Sequence, residues 1–240
     1  PQINIDLIAG MLGETEANWQ TCVQKTIDLQ PDSITIYQME LPFNTTISKD
    51  LMKGTHQFED PVANWSTKRR WVGEAFEALE RAGYSVGSAY TAVKQRGKTR
   101  FVYRDRLWQG ADMAALGVAS FGHVNGVHMQ NLDTWETYTA AVDAGRLPLS
   151  RAYRPTGEER LIRELVLQLK LGTIRPAYFQ EKYGVAILMR FAEAFASLQA
   201  DGYAAEVSQD QVSLTRDGLL RVDVLLPRFF LPEHAGIRYT

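Results

Sequence analysis

Residues 3–38 read INIDLIAGMLGETEANWQTCVQKTIDLQPDSITIYQ, and the apolar pattern of this stretch predicts the fold class. Ile3–Ile8 and Ser33–Gln38 are short apolar, β-branched runs of the kind that forms buried strands. Glu16–Leu29 repeats its apolar residues at helical spacing, and Thr15 before it is a favourable N-cap. A strand, a helix and a strand in this order form a βαβ unit. The stretch therefore predicts parallel strands with a right-handed crossover, and an α/β protein.

The middle of the chain holds a glycine-rich segment, Leu116–Asn131, which reads LGVASFGHVNGVHMQN. It carries two of the four histidines and no formal charge. Such a segment either brings backbone close to a ligand or forms a two-stranded connection with glycines at its turns. Spacing leaves both interpretations open. His123 and His128 would face opposite sides of one strand and are not neighbours on one helix, so we predict no metal pair.

The remaining elements follow from apolar periodicity, caps and breakers. We predict a helix that begins at Asp60 and Pro61, strands at Tyr84–Val93 and Thr99–Tyr103, a helix capped by Asp133, a linker at Leu149–Tyr153, a helix opened by the capping box of Thr156 and Glu159, helices at Pro176–Tyr183 and Val185–Asp201, and a hairpin of Tyr203–Val207 with Gln211–Leu214. The linker predicts a domain boundary, with domains at residues 1–150 and 151–240.

Composition excludes several classes of protein. The chain has 240 residues, a net charge of −2 and 45% hydrophobic residues, which argues against a basic nucleic-acid surface. One cysteine, Cys22, excludes an internal disulfide framework and a multi-cysteine metal site in this chain. No apolar run reaches membrane-spanning length and no signal-peptide pattern opens the chain, so we expect a cytoplasmic protein. A start at Pro1 without Met suggests a processed chain or a piece of a longer one.

Function in parallel α/β folds resides at the carboxyl ends of the strands, which here are the segments Asp6–Gly10 and Tyr37–Glu40. Asp6 lies within an apolar strand, where an acid needs a partner. It is either a hydrogen-bonded structural acid or a contact to a ligand hydroxyl or cation. We expect Cys22 to face the core as a structural thiol and the basic run Lys68–Arg70 to lie on a solvated face.

The last 90 residues, with three helices and a hairpin, predict a winged-helix arrangement, which often binds DNA. The exposed positions of Val185–Asp201 include Arg190, Glu193 and Asp201, which do not form a phosphate-seeking surface. We therefore predict no nucleic-acid partner.

Several segments in order resemble the oxygen-independent coproporphyrinogen III oxidase-like family of radical SAM enzymes. The run Asn4–Gly10, followed by Glu14 and Thr15, is similar to the family's N-I-D-L-I-x-G-L-P-x-Q-T signature. Further similarities are Pro31–Gln38 with Thr45 beyond it, Leu116–Ser120 through Gly126 to Gln130 and Asn131, the helix with Tyr138, Gly145 and Pro148, and the segment with Thr215 and Gly218. Met11 and Leu12 depart from the expected Leu-Pro.

The resemblance implies the last strands of a partial (β/α) barrel followed by a mostly helical, winged-helix-like C-terminal domain. The family's C-x-x-x-C-x-x-C motif and its glycine-rich SAM loop are absent here. A [4Fe–4S] cluster is therefore expected only in an intact longer protein, and a partner of this chain could be the missing N-terminal half of the barrel.

By the same resemblance, S-adenosyl-L-methionine (SAM) would contact Asp6 and Ile8, while Glu40 and Phe121 would lie near a second SAM. Tyr103 stands where the oxidases carry a glutamine contact. The implied chemistry is reductive cleavage of SAM to a 5′-deoxyadenosyl radical, which abstracts hydrogen from a porphyrinogen or related substrate.

Two alternatives remain open. The Tyr37–Glu40 run is closer to radical SAM methyltransferase or cyclopropanase branches with non-porphyrin substrates. A non-catalytic heme- or porphyrin-binding or trafficking module would use His123 and His128 as contacts to its ligand.

Overall fold

The computed structural model describes residues 1–41, 48–49, 63–95 and 97–234. The predictions made for Thr45, Asp60 and Pro61 lie outside these residues. The chain divides into two compact units. The first contains Pro1–Arg100, Leu169–Arg175 and Phe191–Thr240, and the second contains Phe101–Gln168 and Pro176–Arg190.

The first unit is built on the predicted βαβ segment. Strands β1 (Asn4–Ala9) and β2 (Ser33–Gln38) pair in parallel, as predicted, on either side of helix α1 (Glu16–Leu29). Strands β3 (Ser85–Val86) and β4 (Thr91–Val93) complete a sheet of order β1-β2-β4-β3, in which β4 runs antiparallel to β2. Helix α2 (Trp65–Arg81) packs on this sheet.

The core between this sheet and its helices is fully apolar at its centre. Trp19 and Trp71 stack with ring centroids 6.5 Å apart, and Phe76 and Ile34 are completely buried. Burial of this kind stabilises a fold by about 25 cal/mol per Å² of apolar surface. This packing covers one face of the sheet, and on the opposite face of its described strands Asn4, Asp6, Ile8 and Tyr37 are exposed.

The second unit contains a three-stranded antiparallel sheet and five helices among the described residues. Strands β5 (Phe121–Val124), β6 (Val127–Asn131) and β7 (Leu149–Tyr153) are in that spatial order. The helices are α3 (Val102–Trp108), α4 (Trp135–Asp143), α5 (Gly157–Leu169) and, from the later segment, α6 (Pro176–Tyr183), with the short α7 (Ile187–Arg190) after it.

The first unit also contains a small sheet of order β8-β10-β9, formed by β8 (Thr173–Ile174), β9 (Ala204–Val207) and β10 (Val212–Leu214). The accompanying helices are α8 (Ala192–Ala200), α9 (Arg216–Leu220) and α10 (Val222–Leu225), followed by 3₁₀ turns at Leu226–Phe229 and Pro232–His234. The predicted hairpin is confirmed. No helix in the described ranges has the length and apolar character needed to cross a bilayer.

Four local predictions are wrong. The strand predicted at Thr99–Tyr103 is absent, and the chain there enters helix α3 at Val102, with the Arg104 guanidinium over the rings of Phe101 and Trp108, 4.5 and 5.2 Å from their centroids. The predicted linker Leu149–Tyr153 is strand β7, which pairs with β6 although all five residues are exposed. The single helix predicted over Val185–Asp201 is divided into α7 and α8 at Phe191, whose ring packs on Phe229.

The fourth concerns Cys22, which is half-buried instead of facing the core. The buried stripe of α1 runs through Trp19, Val23 and Thr26, and the Cys22 thiol lies 3.9 Å from the Asn18 side-chain oxygen. Caps were predicted more accurately. Thr15 caps α1, and α4 is capped by Thr134, one residue after the predicted Asp133.

Candidate functional site

One group of predicted site residues lies on the open face of β1 and β2. Asp6 is exposed, contrary to the expectation of a buried strand, because Asn4, Asp6 and Ile8 share the side of β1 that faces away from the core. The Asp6 carboxylate accepts a 2.6 Å hydrogen bond from the Asn4 amide. Ile8 is paired with Tyr37 in the parallel register, and both are more than two-fifths exposed. A carboxylate beside an apolar and an aromatic side chain suits a nucleoside.

The carboxyl ends of the same strands bring Glu40 near a buried lysine. Glu40 is exposed, whereas Lys68 is 4% exposed, so the expectation of a solvated basic run is wrong for Lys68. The Lys68 ammonium donates a 2.8 Å hydrogen bond to the Met39 carbonyl and lies 3.9 Å from the Trp65 ring centroid. Burial lowers the pKa of Lys68, and the nearby Glu40 carboxylate opposes that shift.

Tyr103 and Phe121 belong to the second unit and are both exposed, by 70% and 62%. Tyr103 is on α3, and its hydroxyl donates to the Met113 sulfur at 2.8 Å. Phe121 begins β5 and pairs with Gln130 on β6. Asp6, Ile8 and Glu40 belong to the first unit.

His123 and His128 are directly opposed across a β-hairpin, which corrects the prediction that they are not neighbours. β5 and β6 pair His123 with His128, and the two ring centroids are 4.4 Å apart. The turn is Asn125-Gly126, and both residues have positive φ, 49° and 72°. The prediction failed because it placed the two histidines on a single element. The Asn125-Gly126 pair, flanked by Val124 and Val127, is a strong hairpin signal that would have placed them correctly.

Burial favours the neutral form of both imidazoles. His123 is 6% exposed, and burial, followed by the nearby Arg163 charge, lowers its pKa. Burial also lowers the pKa of His128 to about 4, with His123 and Arg163 contributing. His123 Nδ1 is buried and has no hydrogen-bond partner among the described residues.

A cavity of about 260 Å³ opens beside this hairpin, within the second unit. From the loop and the hairpin it is lined by Gly110, Asp112, His123 and Gly126. From the helices it is lined by Arg160, Arg163 and Glu164 of α5 and by Lys182 and Tyr183 of α6. We call it the hairpin cavity. The described residues contain no cluster of three or more metal-binding side chains.

Glu164 organises the wall of the hairpin cavity. Its side chain is 4% exposed and accepts hydrogen bonds from the Lys182 ammonium at 2.7 Å and from the hydroxyls of Tyr178 and Tyr183 at 2.7 and 2.6 Å. These donors fully partner its buried charge, as a buried carboxylate requires. Two features favour glycine at position 110. Its φ is +80°, and a Cβ there would overlap the Glu164 carboxylate.

Sequence reasoning missed Arg160, Arg163, Glu164 and Lys182. The signal was present in α5, where Glu164 falls among the buried Leu161 and Leu165. An acid on the apolar stripe of an amphipathic helix needs buried donors. The donors come from another helix, and no local pattern identifies them.

Comparisons with known proteins give a consistent result, although no protein-family model matches the chain. The oxygen-independent coproporphyrinogen III oxidase of Pseudomonas aeruginosa is 22% identical over 237 residues, which cover 92% of this chain and 46% of that protein. The enzyme of the same description from Thermostichus vulcanus is 24% identical and covers 99% of this chain and 77% of its own length. The heme chaperone HemW of Bacillus subtilis is 22% identical, with coverages of 91% and 56%.

The fold is similar to that of coproporphyrinogen III oxidase (HemN) from Escherichia coli, described as a radical SAM enzyme. The TM-score is 0.74 at 18% identity, and the match covers 94% of this chain and 54% of that one. The chain thus spans about half the length of most of these relatives. As its motifs predict, the chain is similar in sequence over most of its length to oxygen-independent coproporphyrinogen III oxidases and to HemW, and its mixed α/β fold is similar to that of HemN.

Proposed function

We propose that this chain is the C-terminal part of a radical SAM enzyme, with the last strands of a partial (β/α) barrel in residues 1–150 and a winged-helix-like domain in residues 151–240. The observation that carries the proposal is the fold similarity, which covers 94% of this chain but 54% of the HemN chain. The parallel pair β1–β2 and the helices with the small β8-β10-β9 sheet are consistent with it.

The residues of this chain do not fit a [4Fe–4S] cluster. Such a cluster takes several cysteine thiolates, whereas Cys22 is the single cysteine and its thiol lies beside Asn18. In this proposal the cluster is bound by the remaining half of the protein, and no step is assigned to it here.

SAM fits the open face of β1 and β2 better. The exposed Asp6 carboxylate can accept hydrogen bonds from ribose hydroxyls, and Ile8 offers apolar contact on the same face. By resemblance, Glu40, Phe121 and Tyr103 are further candidates for cofactor contact. SAM supplies a hydrogen-abstracting radical in this family, and the barrel's own contribution is to orient the substrate and exclude water. The substrate is a porphyrinogen or, as in related branches, a non-porphyrin small molecule that is methylated or cyclopropanated.

The test begins with the longer reading frame, where a C-x-x-x-C-x-x-C motif upstream of residue 1 is expected. The full-length protein, reconstituted anaerobically, should bind SAM and release 5′-deoxyadenosine. Asp6→Ala should weaken SAM binding about tenfold, the value of one strong charge-assisted contact. Asp28→Asn, an exposed acid on α1 that accepts from Gln24, is the matched control. Unchanged affinity in Asp6→Ala would overturn the assignment of Asp6.

A second candidate function, heme or porphyrin binding without catalysis, is favoured by one observation. His123 and His128 are adjacent, and one relative is a heme chaperone. Heme titrated into the 240-residue chain should then give a Soret shift that His128→Ala abolishes. A spectrum identical to that of free heme would exclude this function.

A further inference from the structure

The hairpin cavity carries cationic groups that the proposed function does not use. Arg160 and Arg163 both line it, one turn apart on α5. Within the described residues neither guanidinium has an ion-pair or hydrogen-bond partner. The tip of the hairpin lies against Arg160, because a Cβ on Gly126 would be 3.3 Å from its Nη1.

The other charges of the cavity leave an excess of one positive charge. Lys182 forms a 2.7 Å ion pair with Glu164, so these two charges cancel. Asp112 accepts a 2.9 Å hydrogen bond from the Asn125 backbone and offsets one of the two arginines. A monoanion would complete the balance, whereas a phosphate dianion would place excess negative charge near Asp112 and Glu164.

The buried polar groups of the cavity also indicate that it binds a ligand. His123 lines the cavity and is only 6% exposed. Its ring nitrogen Nδ1 has no hydrogen-bond partner in the described part of the chain. Arg163 is only partly exposed. Polar groups held in this way are costly to a fold unless a ligand or ordered solvent satisfies them. Planar guanidinium groups bind carboxylates with two parallel hydrogen bonds.

We propose that the hairpin cavity binds a small organic monocarboxylate, with Arg163 and Arg160 as the groups that hold its carboxylate and His123 beside them. A volume of about 260 Å³ is just below the range of sites for drug-sized ligands, so the occupant is small. The proposal does not rest on the proposed function, because it requires neither SAM nor a cluster.

The test is a titration of the 240-residue chain with propionate, followed through the ¹³C signals of labelled histidines. Propionate should shift the His123 signal, assigned with His123→Gln, in a saturable manner. Propionamide, which has nearly the same shape without the charge, should not. Arg163→Gln should weaken propionate binding about tenfold, as expected for the loss of a charge-assisted bond.

Arg154→Gln is the matched control, because Arg154 is exposed just before α5 and does not line the cavity; its affinity should equal that of the unsubstituted chain. Arg160 is exposed, so Arg160→Gln tests the site without disturbing the core if Arg163→Gln unfolds. Equal shifts with propionamide, tighter binding of inorganic phosphate, absence of saturation, or unchanged affinity in both cavity variants would each overturn the proposal.

Discussion

At the scale of single residues, the second unit depends on a few polar groups whose partners are distant in sequence. Glu164 is the clearest case, because its carboxylate is buried and takes donors from three residues of α6. His123 and His128 are the opposite case, since burial lowers the pKa of both imidazoles and the His123 Nδ1 has no hydrogen-bond partner in the described ranges. Glu164 therefore stabilises the unit at neutral pH, whereas the histidines make it sensitive to acid.

Glu164→Gln should lower the free energy of unfolding by about 2 kcal/mol, because it removes the buried counter-charge of Lys182 and leaves tyrosine donors poorly matched. Glu158→Gln is the matched control. It removes an ion pair with Arg190 in which both side chains are nearly half exposed, so it should cost no more than about 0.5 kcal/mol. Urea unfolding followed by circular dichroism measures both. Equal losses would show that Glu164 has no special structural role.

Acid should destabilise the folded chain through His128. Folding lowers its pKa to about 4, chiefly through burial, from about 6.5 in an unfolded chain. Between these two values the unfolded chain binds a proton that the folded chain does not, so the free energy of unfolding falls as the pH drops from about 6.5 to about 4. His128→Gln should lose less stability across that window. An NMR titration of His128 with a midpoint near 6.5 would contradict this prediction.

At the scale of elements, the sequence predicted those that carry strong local signals. The bounds of α1 and β2 and the helix Pro176–Tyr183 match the structure, since each has caps or breakers at its ends. β7 was missed because its five residues are all exposed, so it has no apolar alternation, and only pairing with β6 makes it a strand. The hairpin of His123 and His128 was missed, although the Asn125-Gly126 pair is a sequence pattern that predicts a hairpin turn.

The positions of candidate residues were predictable to the same degree. Asp6 and Glu40 lie on or just after the parallel strands β1 and β2, whose positions the sequence indicates, and their contact with SAM stays a prediction. The hairpin cavity was not found, because it joins a loop, a hairpin and two helices whose proximity no local pattern encodes.

The capping box that opens α5 gives a test at this scale. The Thr156 hydroxyl accepts from the Glu159 N–H at 3.2 Å, and the Glu159 carboxylate accepts from the Thr156 N–H at 2.7 Å. Thr156→Ala should cost about 1 kcal/mol of unfolding free energy, whereas Thr156→Ser should keep most of it. Thermal unfolding of the two variants provides the comparison. An alanine variant as stable as the serine variant would mean that the box contributes nothing measurable.

At the scale of the whole molecule, the relatives are about twice as long as this chain in most comparisons. β1 is an outer strand of its sheet, and among the described residues nothing pairs with its outer edge. Ile3, Ile8 and Met11, on or next to β1, are between 43% and 59% exposed. An unpaired strand edge with apolar side chains is a template for association with another chain.

We therefore expect the 240-residue chain to self-associate in solution, with a mass in light scattering that rises with concentration. Ile8→Lys should reduce this association, because a charge on an edge strand opposes pairing with a second strand and costs little where the side chain is already exposed. Val224→Lys is the matched control, since Val224 is 56% exposed but lies on α10 instead of a strand edge. If the proposed function holds, co-expression with the N-terminal half that it calls for should suppress the association of the unsubstituted chain. A monomer at all concentrations would count against β1 as an open barrel edge, because the barrel proposal requires that edge to be covered by further strands.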